Sequence, residues 1–183
     1  KLYTNTDDVF ARTDIDAVVI ATPLSTHYPL ARKALHAGKH ALVEKPLAAS
    51  LRQAESLSEL AARKRCILMV DHTFIYTGAV RKIKELIDKG TVGDILYFDS
   101  TRINLGLFQN DINVVWDLAP HDLSILNYVI GRMPSSVTAV GMSHTESGFE
   151  DIAYISFQYP HSLIAHFSCS WISPVKIRRI LIG

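Results

Sequence analysis

Asp14-Ile15-Asp16-Ala17-Val18-Val19-Ile20-Ala21-Thr22-Pro23 is the stretch whose reading decides the fold. Ala17 to Ala21 is an unbroken apolar run of strand length, closed by the turn-forming Thr22-Pro23. Such a run, with no polar alternation, suits a strand buried on both faces of a parallel sheet. Tyr28 to Ala37 follows with helical spacing (Leu30, Ala31, Ala34, Leu35) and Gly38 as its stop. His40-Ala41-Leu42-Val43 is a second short apolar strand, and Ile67 to Val70 is a third. Between them Ser50 caps a helix running to about Lys64, with Leu51, Ala54, Leu57, Leu60 and Ala61 on one face. Buried strands alternating with helices form an open, doubly wound parallel sheet, and such sheets bind ligands beyond the carboxyl ends of their strands. The loops after Ala21, Val43 and Val70 are therefore where a site is expected.

After Phe74 the pattern changes. Ala79 to Lys89 is an amphipathic helix stopped by Gly90, and Asp94 to Ile103 is a strand on which Ile95, Tyr97 and Asp99 share one side. A second helix covers about Val115 to Ile130. Ser136 to His144, Asp151 to Tyr159 and Ser162 to Ile172 then read as strands, and the tight Pro160-His161 connection makes the last two antiparallel neighbours. The expected organisation is a partial doubly wound domain over residues 1–75, then an α+β domain with a mostly antiparallel sheet over residues 76–183. There is no internal repeat or low-complexity tract.

The 183 residues are 48% hydrophobic, enough to bury a substantial core. Lysine and arginine number 19 against 18 acidic residues, so there is no field of one sign to attract nucleic acid or an anionic membrane. A small molecule or another protein is the expected partner. Cys66 and Cys169 form no Cys-x-x-Cys pair and read as ordinary buried thiols. No apolar run approaches the roughly 20 residues that span a bilayer, and Lys1 to Thr4 has no signal core, which makes a reducing cytoplasm the default compartment. Both chain ends read as cut, the second of them inside a strand at Ile180 to Gly183.

Three stretches can carry chemistry. Glu44-Lys45-Pro46 places a charge pair and a strand-breaking proline at the carboxyl end of a buried strand. A lysine there can donate to a substrate oxygen or to a nicotinamide ribose, although an isolated tripeptide of this kind also reads as a surface charge pair before a turn. Asp117-x-x-x-His121 puts a carboxylate and an imidazole on one helical face, a plausible acid-base pair, and Pro120 places them at a helix N-terminus. Alternatively His121 and Asp122 cap that end. Ala21-Thr22-Pro23, with His27 beyond, can line a dinucleotide through backbone groups and the Thr22 hydroxyl, or can be an ordinary strand-helix loop. His72, after the third strand, is expected near the same ligand. His36, His40, His144, His161 and His166 have no partner at useful spacing. No His-x-His, His-x-x-x-His or cysteine cluster supports a metal site.

Taken in order, these motifs resemble the Gfo/Idh/MocA oxidoreductases. The stretches that carry the resemblance are Asp14 to Pro23 with His27, Ala37 to Pro46, Val70 to Phe74, Lys84 to Gly90 with Val92-Gly93-Asp94-Ile95, and Asp117 to Asp122. The resemblance implies a Rossmann-like dinucleotide-binding domain, then a domain whose sheet covers the substrate and mediates homo-oligomer formation. It further implies NAD or NADP held across Ala21-Thr22-Pro23, His27, Glu44, Lys45 and His72, with a cis Lys45-Pro46 bond. The implied reaction is hydride transfer between nicotinamide and a hydroxyl-bearing carbon of a sugar, inositol or nucleotide sugar. Lys45 would polarise the reacting hydroxyl, His121 would act as general base, and Asp117 would orient His121 or bind a neighbouring hydroxyl. Arg102 and Trp116 are expected to touch substrate.

One departure stands out: no Gly-x-Gly-x-x-Gly occurs in the chain, so the pyrophosphate-binding turn of such a fold is missing from it. The isolated 183 residues are therefore expected to bind dinucleotide poorly and turn over slowly, if at all, and tight NADH binding in a calorimetric titration would contradict that expectation. Two other functions fit the same fold, a non-catalytic nucleotide-binding sensor or regulator and a hydrolase or lyase assisted by NAD. The acid-base set argues for the dehydrogenase.

Overall fold

A computed structural model describes residues 1–106, 108–109 and 111–183. The chain forms two compact units, residues 1–71 and 72–183.

In the first unit, the short helix α1 (Thr6–Phe10) precedes β1 (Ala17–Ile20), α2 (Leu24–His36), β2 (His40–Val43), α3 (Leu51–Lys64) and β3 (Leu68–Val70). The strands lie in the order β1-β2-β3, all parallel, with Ala17 opposite His40 and Ala41 opposite Leu68. Ile20, Val43 and Ala41 pack against Ala31 and Leu35 of α2 and against Leu57, Leu60 and Ala61 of α3. Leu35 and Leu57 have no exposed surface, and burying each contributes about 2–3 kcal/mol.

Two expectations need correction here. β1 is covered on one face: Val19, in register with Leu42 and through it with Met69, is 72% exposed. An apolar run alone cannot tell whether a second layer covers a sheet. Helix α2 begins at Leu24, ahead of Tyr28, because the Thr26 N–H and hydroxyl both donate to the Pro23 carbonyl and close the first turn (2.9 and 2.7 Å). Pro29 then falls inside α2, where it lacks one N–H without ending the helix. Ser50 does cap α3, accepting from Gln53 N at 3.3 Å, and Gly38 does adopt positive φ after α2.

The second unit opens with a 3-10 turn (Thr73–Tyr76), then α4 (Gly78–Asp88), β4 (Tyr97–Leu105), α5 (Val114–Ile130), β5 (Ser136–Met142), β6 (Ile152–Gln158), β7 (Ile164–Ser170) and β8 (Ile172–Ile182). Its sheet runs β5-β6-β7-β4-β8; β4 and β7 are parallel and the remaining neighbours antiparallel. Strand alternation sorts the faces. Phe98, Ser100 and Arg102 of β4, Ile155 and Phe157 of β6, and Phe167 and Cys169 of β7 are buried, and they share the unit's core with Val114, Ala119, Ile125, Leu126 and Val129 of α5. Tyr97, Val140, Tyr154, Ile164 and Leu181 occupy the other, exposed face. Burial pushes the Cys169 thiol up to about 12, so it is an inert thiol; Cys66 is half-buried rather than buried.

Pro120 does not lie in the first turn of α5, where its missing N–H would be best tolerated. The helix starts at Val114 and Pro120 lies inside it. Asn113 makes the earlier start possible: its side chain accepts from Trp116 N at 3.1 Å and satisfies an end donor.

Candidate functional site

In the first unit, Glu44 N donates to Ile20 O and Asp71 N to Val43 O (2.9 and 2.8 Å), so the three strands end level. The loops after them emerge at one edge, the ligand-binding edge of an open parallel sheet. Ala21, Thr22 and Pro23 are exposed there, and the Thr22 and Thr26 hydroxyls meet at 2.6 Å. Glu44 and Lys45 are half-buried, and the Lys45 N–H donates to the Glu44 carboxylate at 3.1 Å. The Lys45-Pro46 bond is cis. Exposed backbone next to a half-buried lysine fits the nicotinamide and ribose end of a dinucleotide. His27 is placed differently from expectation: it is 2% exposed, with Nδ1 2.8 Å from Pro46 O and Nε2 2.8 Å from Thr22 O. Its ring faces backbone carbonyls inside the unit rather than an open ligand surface.

In the second unit, α5 carries the other candidates. Its N-terminus is anchored by Glu150, whose carboxylate accepts from Asn113 Nδ2 (2.9 Å) and whose carbonyl accepts from Val114 N (2.9 Å). The Glu150 backbone and the Asn113 amide together hold this carboxyl below its ordinary range. Asp117 sits in the first turn of α5 and His121 one turn on, both half-buried. The Trp171 indole N–H donates to Asp117 Oδ2 at 3.0 Å. His121 meets the Phe74 ring edge to face, with 5.0 Å between centroids and 82° between planes.

Arg102 was expected at the substrate. Instead it is 5% exposed and forks onto Asp122, Nε to Oδ2 at 2.8 Å and Nη2 to Oδ1 at 2.6 Å. The guanidinium also lies 4.9 Å from the centre of the Phe74 ring, so Phe74 packs between Arg102 and His121. Arg102 and Asp122 therefore brace the residues around His121. Trp116, next to Asp117, is 40% exposed and open to a ligand. His72 heads the 3-10 turn, half-buried, with its carbonyl accepting from Ile75 N.

Sequence reasoning missed Trp171, Phe74 and the role of Asp122. Their partners lie 54, 47 and 20 positions away, and no local spacing announces such pairs. It also left His40 and His144 without partners. His40 Nδ1 accepts from Ile67 N at 2.8 Å, joining β2 to the approach of β3, and His144 pairs with the buried Asp151. Among the described residues, no three histidine, cysteine or acidic side chains are grouped to hold a metal ion, and no helix is long and apolar enough to cross a membrane.

Comparison with known proteins agrees with this architecture unit by unit. Residues 1–72 match the oxidoreductase family, NAD-binding Rossmann fold, and residues 80–183 match the GFO/IDH/MocA C-terminal domain. The uncharacterized oxidoreductase YdgJ of Escherichia coli is 32% identical over 170 residues, covering 86% of this chain and 46% of that protein. The scyllo-inositol 2-dehydrogenase (NAD(+)) of Bacillus subtilis is 32% identical over 132 residues, covering 69% of this chain and 39% of that protein. Among solved structures, UDP-N-acetylglucosamine 3-dehydrogenase GnnA from Acidithiobacillus ferrooxidans superposes with a TM-score of 0.86 at 27% identity, covering 100% of this chain and 58% of that one. The chain thus spans less than half the length of these two curated relatives. With a parallel sheet matched at one end and, at the other, a mixed sheet packed on the helix that carries Asp117 and His121, the chain belongs to the GFO/IDH/MocA oxidoreductase family.

Proposed function

We propose that the protein is an NAD(P)-dependent oxidoreductase acting at a hydroxyl-bearing carbon of a sugar, inositol or nucleotide sugar. The observation that carries this reading is the pair on α5. Asp117 and His121 lie one turn apart, the carboxylate held by Trp171 and the imidazole packed on Phe74. Held side chains of these two types suit proton transfer, because a general acid-base group works when its geometry is set before the substrate arrives. The relatives named above, which act on an inositol and on a nucleotide sugar, supply the substrate class.

Bound nicotinamide would supply the hydride chemistry. Ala21, Thr22 and Pro23 would line it through their backbone, with Glu44, Lys45 and His72 as further contacts. Lys45 would donate to the oxygen of the reacting carbon and draw charge from it. His121 would take the hydroxyl proton when an alcohol is oxidised, and return it in the reverse direction. Asp117 would hold His121 or a neighbouring substrate hydroxyl, and Trp116 would lie against the substrate. The exposed sheet face bearing Tyr97, Val140, Tyr154, Ile164 and Leu181 would be covered by a second copy of the chain.

The test, made on this chain joined to a strand and Gly-x-Gly-x-x-Gly turn that supply the pyrophosphate site it lacks, is a panel of scyllo-inositol, myo-inositol, simple hexoses and UDP-N-acetylglucosamine with NAD+ or NADP+, followed at about 340 nm, where reduced nicotinamide absorbs. Turnover by at least one member is expected. Replacing His121 with alanine should lower kcat about 10²- to 10⁴-fold, the usual contribution of a general base. Equal turnover by His121→Ala and the parent protein would overturn the assignment.

A further inference from the structure

His27 is a buried, titratable side chain that the proton transfers above do not use. Its ring lies between two backbone carbonyls that belong to different loops: Thr22 follows β1 and Pro46 follows β2. A carbonyl oxygen can only accept, so each 2.8 Å contact is a hydrogen bond when that ring nitrogen carries a hydrogen. A neutral ring serves one carbonyl, and a doubly protonated ring serves both. The ring projects from near the start of α2, whose Ala31 and Leu35 have no exposed surface, so it is mounted on a packed element. Thr22 with Thr26 and the Lys45 N–H with the neighbouring Glu44 carboxylate are contacts within one loop, and the Glu44 N–H to the Ile20 carbonyl continues the sheet ladder. The His27 ring is different, because it reaches 19 positions along the chain to Pro46.

We propose that His27 is a positioning residue that ties the Pro46 carbonyl, next to Lys45, to the Thr22 carbonyl, so that the two loops hold one geometry at the sheet edge. Its consequence for catalysis rests on the oxidoreductase reading, since Lys45 is the group that the tie would steady. The tie itself does not depend on that reading. It also explains why a histidine suits this buried position: an aliphatic side chain would leave the Pro46 carbonyl, the buried one of the two, without this donor, and a buried acceptor left unsatisfied is destabilising.

Hydrogen exchange on the full 183-residue chain tests the proposal without any ligand. In His27→Leu, amides within residues 22–26 and 44–48 should exchange about tenfold faster, the change expected for losing roughly one hydrogen bond. Amides of α3 and of the β2 strand should keep their parent rates. His27→Gln, which retains an N–H donor, should lie between the two. An even rise across residues 1–71 would mean that His27 supports the fold as a whole, and unchanged exchange in both loops would mean that the contacts restrain nothing; either result overturns the proposal. Should His27→Leu fail to fold, His27→Gln is judged by the same local-against-even criterion. A dehydrogenase panel without turnover would remove the oxidoreductase reading and leave this exchange result standing, so the two failures are distinguishable.

Discussion

The indole N–H of Trp171 donates to Asp117 Oδ2 at 3.0 Å, joining the end of β7 to the first turn of α5. Trp171 is itself held on several sides. Its backbone N–H donates to Asp151 O, its carbonyl accepts from Gly106 N (both 2.9 Å), and Phe108 meets its ring edge to face at 6.0 Å. A methyl group at Gly106 would approach Asn104 Nδ2 to 2.8 Å and Trp171 Cδ1 to 3.1 Å, so glycine lets the chain pass close to the indole there. A donor this constrained can fix a carboxylate. Trp171→Phe keeps most of the ring and removes the N–H, and should cost about 1–3 kcal/mol of stability, the range for a hydrogen bond to a charged group. It should also lower kcat/KM about tenfold. In an Asp117→Ala background the same change should have little further effect on rate, giving a coupling energy of about 1 kcal/mol or more in a double-mutant cycle. Strict additivity in that cycle would show that Trp171 does not act through Asp117.

Arg102 and Asp122 make a second, buried connection between β4 and α5. Removing one partner leaves an uncompensated charge out of water, so Asp122→Ala should destabilise the protein by about 3–5 kcal/mol. Replacing both with apolar residues of similar volume, as in Arg102→Met with Asp122→Leu, should recover most of that loss. Denaturant midpoints of the three proteins check the ordering. Recovered stability need not bring recovered activity, because the pair also sets Phe74 against His121. A double variant both stable and fully active would show that the ion pair has no part in placing the imidazole.

Local chemistry made the first unit largely legible from sequence. The apolar run at Ala17, the Ser50 cap and the Gly38 stop are each decided by neighbours a few residues away, and each lies where the pattern puts it. In the second unit, alternation located the strands, and strand register then decided everything specific to the site. Phe98, Ser100 and Arg102 point inward only because β4 lies between β7 and β8, an order that no short window contains. Pro120 misled for a related reason. A proline usually marks the first turn of a helix, but Asn113 and Glu150, brought together across 37 positions, anchor α5 further upstream. Lys45 and the Asp117-His121 pair stand out as candidates in the sequence because each is marked by its near neighbours, whereas the groups that hold the latter pair are distant in sequence.

Asp151 shows the same long-range logic in a form that acid should reveal. Its carboxylate has no exposed surface, and burial by itself would raise its pKa. The His144 ring (2.8 Å) and backbone N–H (2.6 Å), reaching back from the end of β5, outweigh that effect and hold the group below the ordinary carboxylate range. A folded-state pKa below the unfolded one contributes stability at neutral pH, and this is lost as pH falls from the ordinary carboxylate value through the lower folded one. The parent protein should therefore lose stability below about pH 4 by an amount that Asp151→Asn lacks. At pH 7 that variant should be less stable by about 1–3 kcal/mol, because an amide in place of the carboxylate loses the charge in both bonds. Urea midpoints measured from pH 7 down to pH 3 would show the two proteins converging. Parallel curves over that whole interval would mean that the His144 contact does not depend on the charge of Asp151.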